Sequence, residues 1–211
     1  MSVPRDDGQD PRPLFGSTLL RSLQLPMLTR RYNERRVVAA YVFINSGIAI
    51  AVMAGLAMAS DQPFVFPSLG PTAFLLFYSP LAPNAAPRSC FFGHLIGALS
   101  AYVALLVFGL TSVLPDLYDI TPARIGALAL ALALTLALMA WLDIPHAPAG
   151  ATTLIVALGL LRTPEQLAIL MLAVVLLTAQ GFVINRLAGL PYPLWRPLKP
   201  EPAASAGSRR P

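Results

Sequence analysis

The stretch IGALALALALTLALMAWLDIPHAPAGATTLIV, from Ile125 to Val156, decides the fold. Its first part, Ile125–Leu142, is nearly pure alanine and leucine and includes Trp141 at its end, an aromatic suited to a membrane interface. A run of that length and apolarity approaches the roughly 20 residues a helix needs to cross the hydrocarbon of a bilayer. The chain then breaks at Pro145-His146-Ala147-Pro148, a pattern that regular helix does not tolerate. Beyond it the sequence turns helical again, but only for about 10–12 residues, or roughly 15–18 Å at about 1.5 Å per residue. That is about half a bilayer. Such a helix spans only if the irregular residues before it cover the other half, at about 3.3 Å per residue.

The same order occurs earlier in the chain. Val37–Ala59 is free of charge and has Asn45 and Ser46 as its clearly polar groups. A second broken segment follows, Pro67-Ser68-Leu69-Gly70-Pro71-Thr72-Ala73-Phe74-Leu75-Leu76-Phe77, and then Cys90–Leu114, in which His94 is the one acidic or basic side chain. On the far side of the opening stretch, Glu165–Ile184 begins after Thr163-Pro164 and closes at Asn185-Arg186. Aligning Gly70 with Gly150 sets an offset of 80 residues and also pairs Thr72 with Thr152. The expected fold is therefore all-α: a polytopic membrane bundle of four full transmembrane helices plus two short broken half-helices. The order long, broken, long, met twice, points to an internal duplication with repeats 37–114 and 123–187. Broken helices at corresponding positions of two halves mark transporter binding sites. The competing reading is that both segments are amphipathic or loop stretches that merely pack. If both half-helices cross, there are six passes and inverted repeats; if both re-enter, there are four passes and parallel repeats.

Composition agrees with a membrane body. The 211 residues are 56% hydrophobic and 12% charged, against about 25% charged for globular proteins. Seven of the fourteen arginines precede Val37, and between Val37 and Leu161 the only basic residues besides histidine are Arg88 and Arg124. The net charge of +5 thus belongs to the tails and argues against a nucleic-acid-binding body. Arg30-Arg31 and Arg35-Arg36 beside the first span favour the cytoplasmic face and anionic lipid. Residues 1–36 read as a basic cytoplasmic tail, with Leu14 to Leu28 able to form a short interfacial helix limited by Pro26. The stretch 197–211, rich in proline, alanine and serine, reads as a disordered tail. Both topologies put the two termini on one side. The first 25 residues are polar and rich in proline, unlike a cleavable signal. With Lys199 as the single lysine, the composition points to a high-GC bacterium and its inner membrane. Cys90 is alone and reads as a small apolar packing residue.

Several motifs carry a family likeness. The run His146-Ala147-Pro148-Ala149-Gly150-Ala151-Thr152 resembles the signature His-Pro-Pro-Ala-Gly-Ala of the HPP family of integral membrane proteins. Gly70-Pro71-Thr72-Ala73 before Phe74–Phe77 is similar to that family's earlier Gly-Ala-Ser/Thr-Ala block. Ala86-Pro87-Arg88 and Gly93-His94 resemble its Pro-Arg and Gly-His positions, and Tyr192-Pro193 with Trp195 its closing Tyr-Pro block. The likeness covers roughly Val37 to Arg196 and keeps the motif order. Ala147 replaces the middle proline and loosens the backbone before Pro148; Pro71 stands in place of an alanine and brings a ring into the first half-helix. Neither change removes a charged or hydrogen-bonding side chain. The resemblance implies a four-spanning protein engaged in transport, a plant chloroplast member being associated with nitrite.

The residues themselves suggest a compatible chemistry. A helix N-terminus presents unpaired N–H groups and the positive end of its dipole, which suits an anion. Two such ends meeting near the midplane would form a site for a small oxyanion, and Gly70, Thr72, Pro148, Gly150, Thr152 and Thr153 are expected there. His146 could bind an anion or carry a proton, or simply cap its helix. His94 lies one turn inside its span and is either functional or an ordinary interhelical hydrogen-bonding group. Arg88 closes a pathway electrostatically or anchors at the headgroups. Asp143 pairs with His146 or ends its helix, and Asn45 and Gln180 are expected to bridge helices.

Other chemistries find no support. There is no phosphate-cradling glycine loop with a following Lys-Ser/Thr, and two isolated histidines with few acids make a poor metal site. No cofactor and no enzyme activity are expected, because no nucleophile, base and orienting group occur together. The functional expectation is a transporter or channel for a small anion. Its alternative is a non-transporting accessory subunit of a membrane complex; a lipid-modifying enzyme lacks the reactive set it would need. A chain of this size would gain from forming a homo-oligomer to enclose a pathway, and Gly93-x-x-x-Gly97 offers a close packing surface.

Overall fold

The computed structural model describes residues 24–198. The tail expected from Pro197 and the first part of the expected interfacial helix lie largely outside that range. Seven α-helices follow in order: α1 (Leu25–Arg31), α2 (Glu34–Ser60), α3 (Leu69–Tyr78), α4 (Pro87–Val107), α5 (Pro122–Trp141), α6 (Pro148–Ala157) and α7 (Pro164–Leu187). Pro83–Ala85 adds one 3-10 turn before α4. α2, α4, α5 and α7 are long and apolar enough to cross a membrane, while α3 and α6 have ten residues each. The described residues contain no strand, so the all-α bundle of four long and two short membrane helices is the fold.

The caps explain where the helices begin and end. Proline opens α4, α5, α6 and α7 at the first turn, where its missing N–H costs nothing. Thr163 forms a reciprocal capping box with Gln166, and Asn33 accepts from the Arg36 N–H at 3.2 Å. That Asn33 cap starts α2 at Glu34, ahead of the expected Val37, so Arg35 and Arg36 form its first turn rather than a tail. α4 stops at Val107 instead of running to Leu114, because Gly109 takes a left-handed backbone (φ 66°).

The hydrogen bonds between elements place both ends of the bundle. At one end the Leu25 N–H donates to the Ala188 carbonyl at 2.9 Å, the Arg88 N–H to Trp195 at 3.0 Å, and the Arg88 guanidinium to the Asp143 carbonyl at 3.2 Å. That end therefore gathers α1, the starts of α2 and α4, and the finishes of α5 and α7. At the other end the Arg124 guanidinium donates to the carbonyls of Ala157 at 3.2 Å and Val113 at 3.4 Å, joining the start of α5 to the finish of α6. Since α2 finishes at the far end and α4 starts at the near one, the segment carrying α3 connects opposite ends. The segment carrying α6 does the same in reverse. Six connections, not four, join the two ends, and the two halves run in opposite directions.

Matching features recur in both halves. α3 packs on α2 of its own half and α7 of the other; α6 packs on α5 of its own half and α4 of the other. α2 and α5 each give way to an aspartate in the left-handed region, Asp61 (φ 52°) and Asp143 (φ 51°), a conformation that Asp tolerates better than most residues. α4 and α7 close with the same pair of bonds 80 residues apart: Gly109 N–H to Leu106 and Leu110 N–H to Leu105, then Gly189 N–H to Arg186 and Leu190 N–H to Asn185. These matches relate the two halves, which run in opposite directions.

α4 is the axis of the bundle. Half of its apolar window is buried, against a third or less for the other long helices. Its small residues allow this. A Cβ on Gly93 would stand 2.5 Å from the His146 Cβ, and one on Gly97 would stand 2.8 Å from the Ala149 carbonyl oxygen. The Gly93-x-x-x-Gly97 surface is thus taken up inside the chain by α6.

Two expectations follow. In a Cys90→Ala background, cysteines at Gln62 and Pro83, on either side of α3, should react with impermeant thiol reagents from opposite faces of a sealed vesicle; labelling from one face contradicts the crossing. Gly93→Ala should destabilise the folded protein by about 1–3 kcal/mol through overpacking, read as a lower unfolding midpoint in detergent. Gly47→Ala, whose methyl meets nothing within 4 Å, should be neutral or stabilising by up to about 1 kcal/mol.

Candidate functional site

Each short helix begins inside the bundle, after an irregular stretch, and brings a threonine from its first turns to the same imidazole. His94 of α4 lies between them, with Nε2 at 2.9 Å from Thr72 Oγ1 of α3 and Nδ1 at 2.7 Å from Thr152 Oγ1 of α6. Thr72 and Thr152 are the pair matched by the 80-residue offset. The His146 ring stands edge-on to His94, its Nε2 at 3.1 Å from His94 Nε2 and 3.5 Å from Thr72 Oγ1. Its Nδ1 lies 2.8 Å from the Asn84 carbonyl oxygen. Thr72, His94, His146 and Thr152 are all buried, at 1% exposure or less, so the cluster is sealed from both ends.

Hydrogen-bond accounting assigns the protons. A carbonyl oxygen only accepts, so His146 carries its proton on Nδ1 and, when neutral, presents a bare Nε2. His94 must then donate from Nε2 toward it, and its Nδ1 accepts from the Thr152 hydroxyl. Thr72 donates to the Ser68 carbonyl at 2.9 Å, leaving its oxygen to accept from His94 Nε2–H as well. Every ring nitrogen is satisfied with both histidines neutral. No Asp, Glu, Lys or Arg side chain is hydrogen-bonded to either ring among the described residues.

The expected site residues divide. Thr72, Thr152, His94 and His146 come together, and Pro148 is buried at the start of α6 beside them. Gly70 does not join: it is exposed, and a Cβ there would meet nothing within 4 Å. Gly150 faces Leu132 of α5, the one neighbour within 4 Å of a Cβ placed there. Thr153, one residue from Thr152, points about 100° round the helix. It bonds Thr135 of α5 at 2.9 Å and the Ala149 carbonyl at 2.9 Å. Arg88 sits at the near end, where it holds the finish of α5 through the Asp143 carbonyl. Asp143 ends that helix with its left-handed turn and makes no bond to His146. The amides expected to stand open are partly engaged: Leu69 N–H reaches Phe66, Ala149 N–H reaches His146, and Gly150 N–H reaches Ala147. The dipole ends remain, but the open nest of N–H groups does not.

The histidines are not isolated, since their rings touch. Among the described residues no group of three or more His, Cys, Asp or Glu side chains stands together. Asn45 bonds the carbonyl of Tyr41 within its own helix and bridges nothing, and the buried Gln180 Oε1 has no hydrogen-bond partner. The bridging part falls to Asn185, read from sequence only as the close of a span. It is fully buried, accepts from the Tyr41 hydroxyl at 2.8 Å and donates to the Leu76 carbonyl at 2.9 Å. Asn84 and Thr135 also escape sequence reasoning. The first acts through its backbone, which no side-chain pattern reports.

The family model described as HPP, transmembrane region, matches residues 31–193. Comparison with curated proteins and with solved structures returns no match. The matched span runs from the near-end arginines to the segment after α7 and includes both short helices and both histidines. The chain is a multi-pass integral membrane protein and belongs to the HPP transmembrane family.

Proposed function

We propose that this protein is a transporter of a small anion, with nitrite as the candidate that family resemblance brings, and that its path follows the seam between the two halves. The observation that carries the reading is the convergence of two short helices, from oppositely directed halves, on one buried histidine. Inverted repeats with discontinuous helices near mid-bundle are the architecture of secondary transporters, which work by rocking one half against the other. The positive ends of two helix dipoles directed at a dry region favour negative charge there. Ser68 and Asn84, whose carbonyls already frame the cluster, each keep a buried side-chain oxygen without a protein hydrogen bond. A polar atom left unpaired costs about 1–3 kcal/mol, so the Ser68 hydroxyl is suited to donate to a small anion, while the Asn84 amide oxygen can only accept.

Orientation and location belong to the same proposal. The end of the bundle that gathers α1 and the finish of α7 carries Arg30, Arg31, Arg35, Arg36, Arg88, Arg186 and Arg196, and the other end carries Arg124 and Arg162. By the positive-inside bias the first end is cytoplasmic, with both termini on that side; composition suggests a bacterial inner membrane. The role is read as non-enzymatic, since among the described residues no Asp, Glu, Cys, Lys or Arg side chain is hydrogen-bonded to either histidine.

The test is uptake by the full chain in proteoliposomes. Saturable nitrite uptake above protein-free vesicles is expected. His146→Ala should lower it about a hundredfold or more, the order by which a positioned proton-transfer group contributes, with folding checked by an unchanged unfolding midpoint. Unaltered uptake in that variant removes His146 from the path. No uptake of nitrite, nitrate or chloride by the wild-type chain favours the accessory-subunit alternative.

A further inference from the structure

We propose that Thr152, His94 and His146 form a relay that holds one proton, so that each anion crosses together with one proton. This deepens the transporter reading and rests on it for the coupling, though not for the relay itself. The geometry is the contact of the two Nε2 atoms at 3.1 Å, with Nδ1 of His146 fixed by the Asn84 carbonyl and Nδ1 of His94 fixed by the Thr152 hydroxyl.

The proton balance follows from those contacts. In the neutral cluster the two rings carry two N–H protons, His146 Nδ1–H and His94 Nε2–H. When a proton arrives at the Thr152 oxygen, the threonine passes its own hydroxyl proton to His94 Nδ1. His94 passes its Nε2 proton to His146 Nε2, and the Thr152 oxygen keeps the incoming one. His146 becomes the imidazolium and His94 the neutral Nδ1–H tautomer, so one proton enters and one positive charge is held. A second proton would need N–H groups on both Nε2 atoms, pointed at each other across 3.1 Å. The cluster therefore holds none or one.

The surroundings link that proton to an anion. α3 brings Thr72 to the rings, α6 brings Thr152, and α4 brings His94; none supplies a carboxylate. On the adjoining chain, Arg88 is turned to the Asp143 carbonyl, and Asp143 makes no hydrogen bond to His146. An imidazolium here faces two positive helix ends with no carboxylate hydrogen-bonded to it among the described residues, and a lone anion here is stripped of water. Together they offset each other. A monovalent anion and one proton then move as a neutral pair.

The chain has two histidines in all, so 15N-histidine labelling of the full protein in bilayers reports only these rings. The expected spectrum shows one ring protonated on Nδ1 and the other on Nε2, assigned through His94→Gln. Acidification should add one proton per chain and convert both rings together. Thr152→Val should leave His94 in the Nε2–H form that the bare His146 Nε2 sets. It should move the acid conversion to lower pH, because His94 Nδ1–H of the protonated pair loses its acceptor, and Thr152→Ser should restore it. Two rings in the same tautomer, or uptake of two protons, overturns the relay. For the coupling, proteoliposomes carrying an internal pH dye are given a nitrite gradient with the membrane potential clamped, and protein-free vesicles supply the blank. One proton entering per nitrite, with a rate insensitive to the clamped potential, is expected. Nitrite entry without protons overturns the coupling while leaving the transporter reading intact. Absence of nitrite entry counts against the transporter reading, and the spectrum then decides the relay alone.

Discussion

A peptide group that leaves regular helix inside hydrocarbon must find its hydrogen bond within the protein, because lipid offers none. The stretches 64–68 and 144–147 are such places, with Phe64, Phe66, Ser68, Ile144 and His146 buried where the chain is extended or turned. The rest of the architecture follows from covering them. Each short helix is enclosed between the long helix before it and the closing long helix of the other half. The breaks take bonds locally, such as Leu69 N–H to Phe66 and Ile144 N–H to Met139, and one across the halves, from His146 Nδ1–H to the Asn84 carbonyl. The two halves are interlocked by that packing.

Enclosure requires close approach, and α4 provides it. Gly93 and Gly97 let the segment from His146 to Thr153 lie against the helix backbone, at distances that any side chain would forbid. The same approach brings His146 to His94. On the other side of the bundle Asn185 ties α7 to the Leu76 carbonyl of α3 and, through Tyr41, to α2. One short helix is held by small residues and the other by a buried amide. The symmetry of the fold is therefore one of path and contact rather than of side chains, which leaves the single histidine of α4 without a counterpart in α7.

Much of this was legible in the sequence. Length and apolarity reveal the four long helices, because spanning a bilayer leaves no room for charge, and prolines reveal the two breaks. Helix ends were less legible, since they depend on Asn33 as a cap and on Gly109, Asp61 and Asp143 accepting left-handed backbone. The charge pattern could not choose between four and six crossings; the bonds from Arg88 and Arg124 to opposite helix finishes do. At the site, residue types pointed to the right region but not to the right faces. Thr152 and Thr153 are adjacent, yet only the first meets His94, because a helix turns its neighbours about 100° apart and packing selects one. Gly70 was expected at the centre for its lack of a side chain, but it lies on the exposed side of α3. Asn84 contributes a carbonyl, which any residue possesses.

Function in this account rests on the meeting of two helices at one ring, so the most direct measurement is the energetic coupling between their threonines. A double-mutant cycle of Thr72→Val and Thr152→Val, read by unfolding in lipid-detergent bicelles, isolates that coupling. If both hydroxyls address His94, the two losses should depart from additivity by about 0.5–3 kcal/mol, as for residues sharing one hydrogen-bond network. Losses that add to within about 0.3–0.5 kcal/mol would mean that the sites are independent, and would contradict a shared imidazole between the two halves.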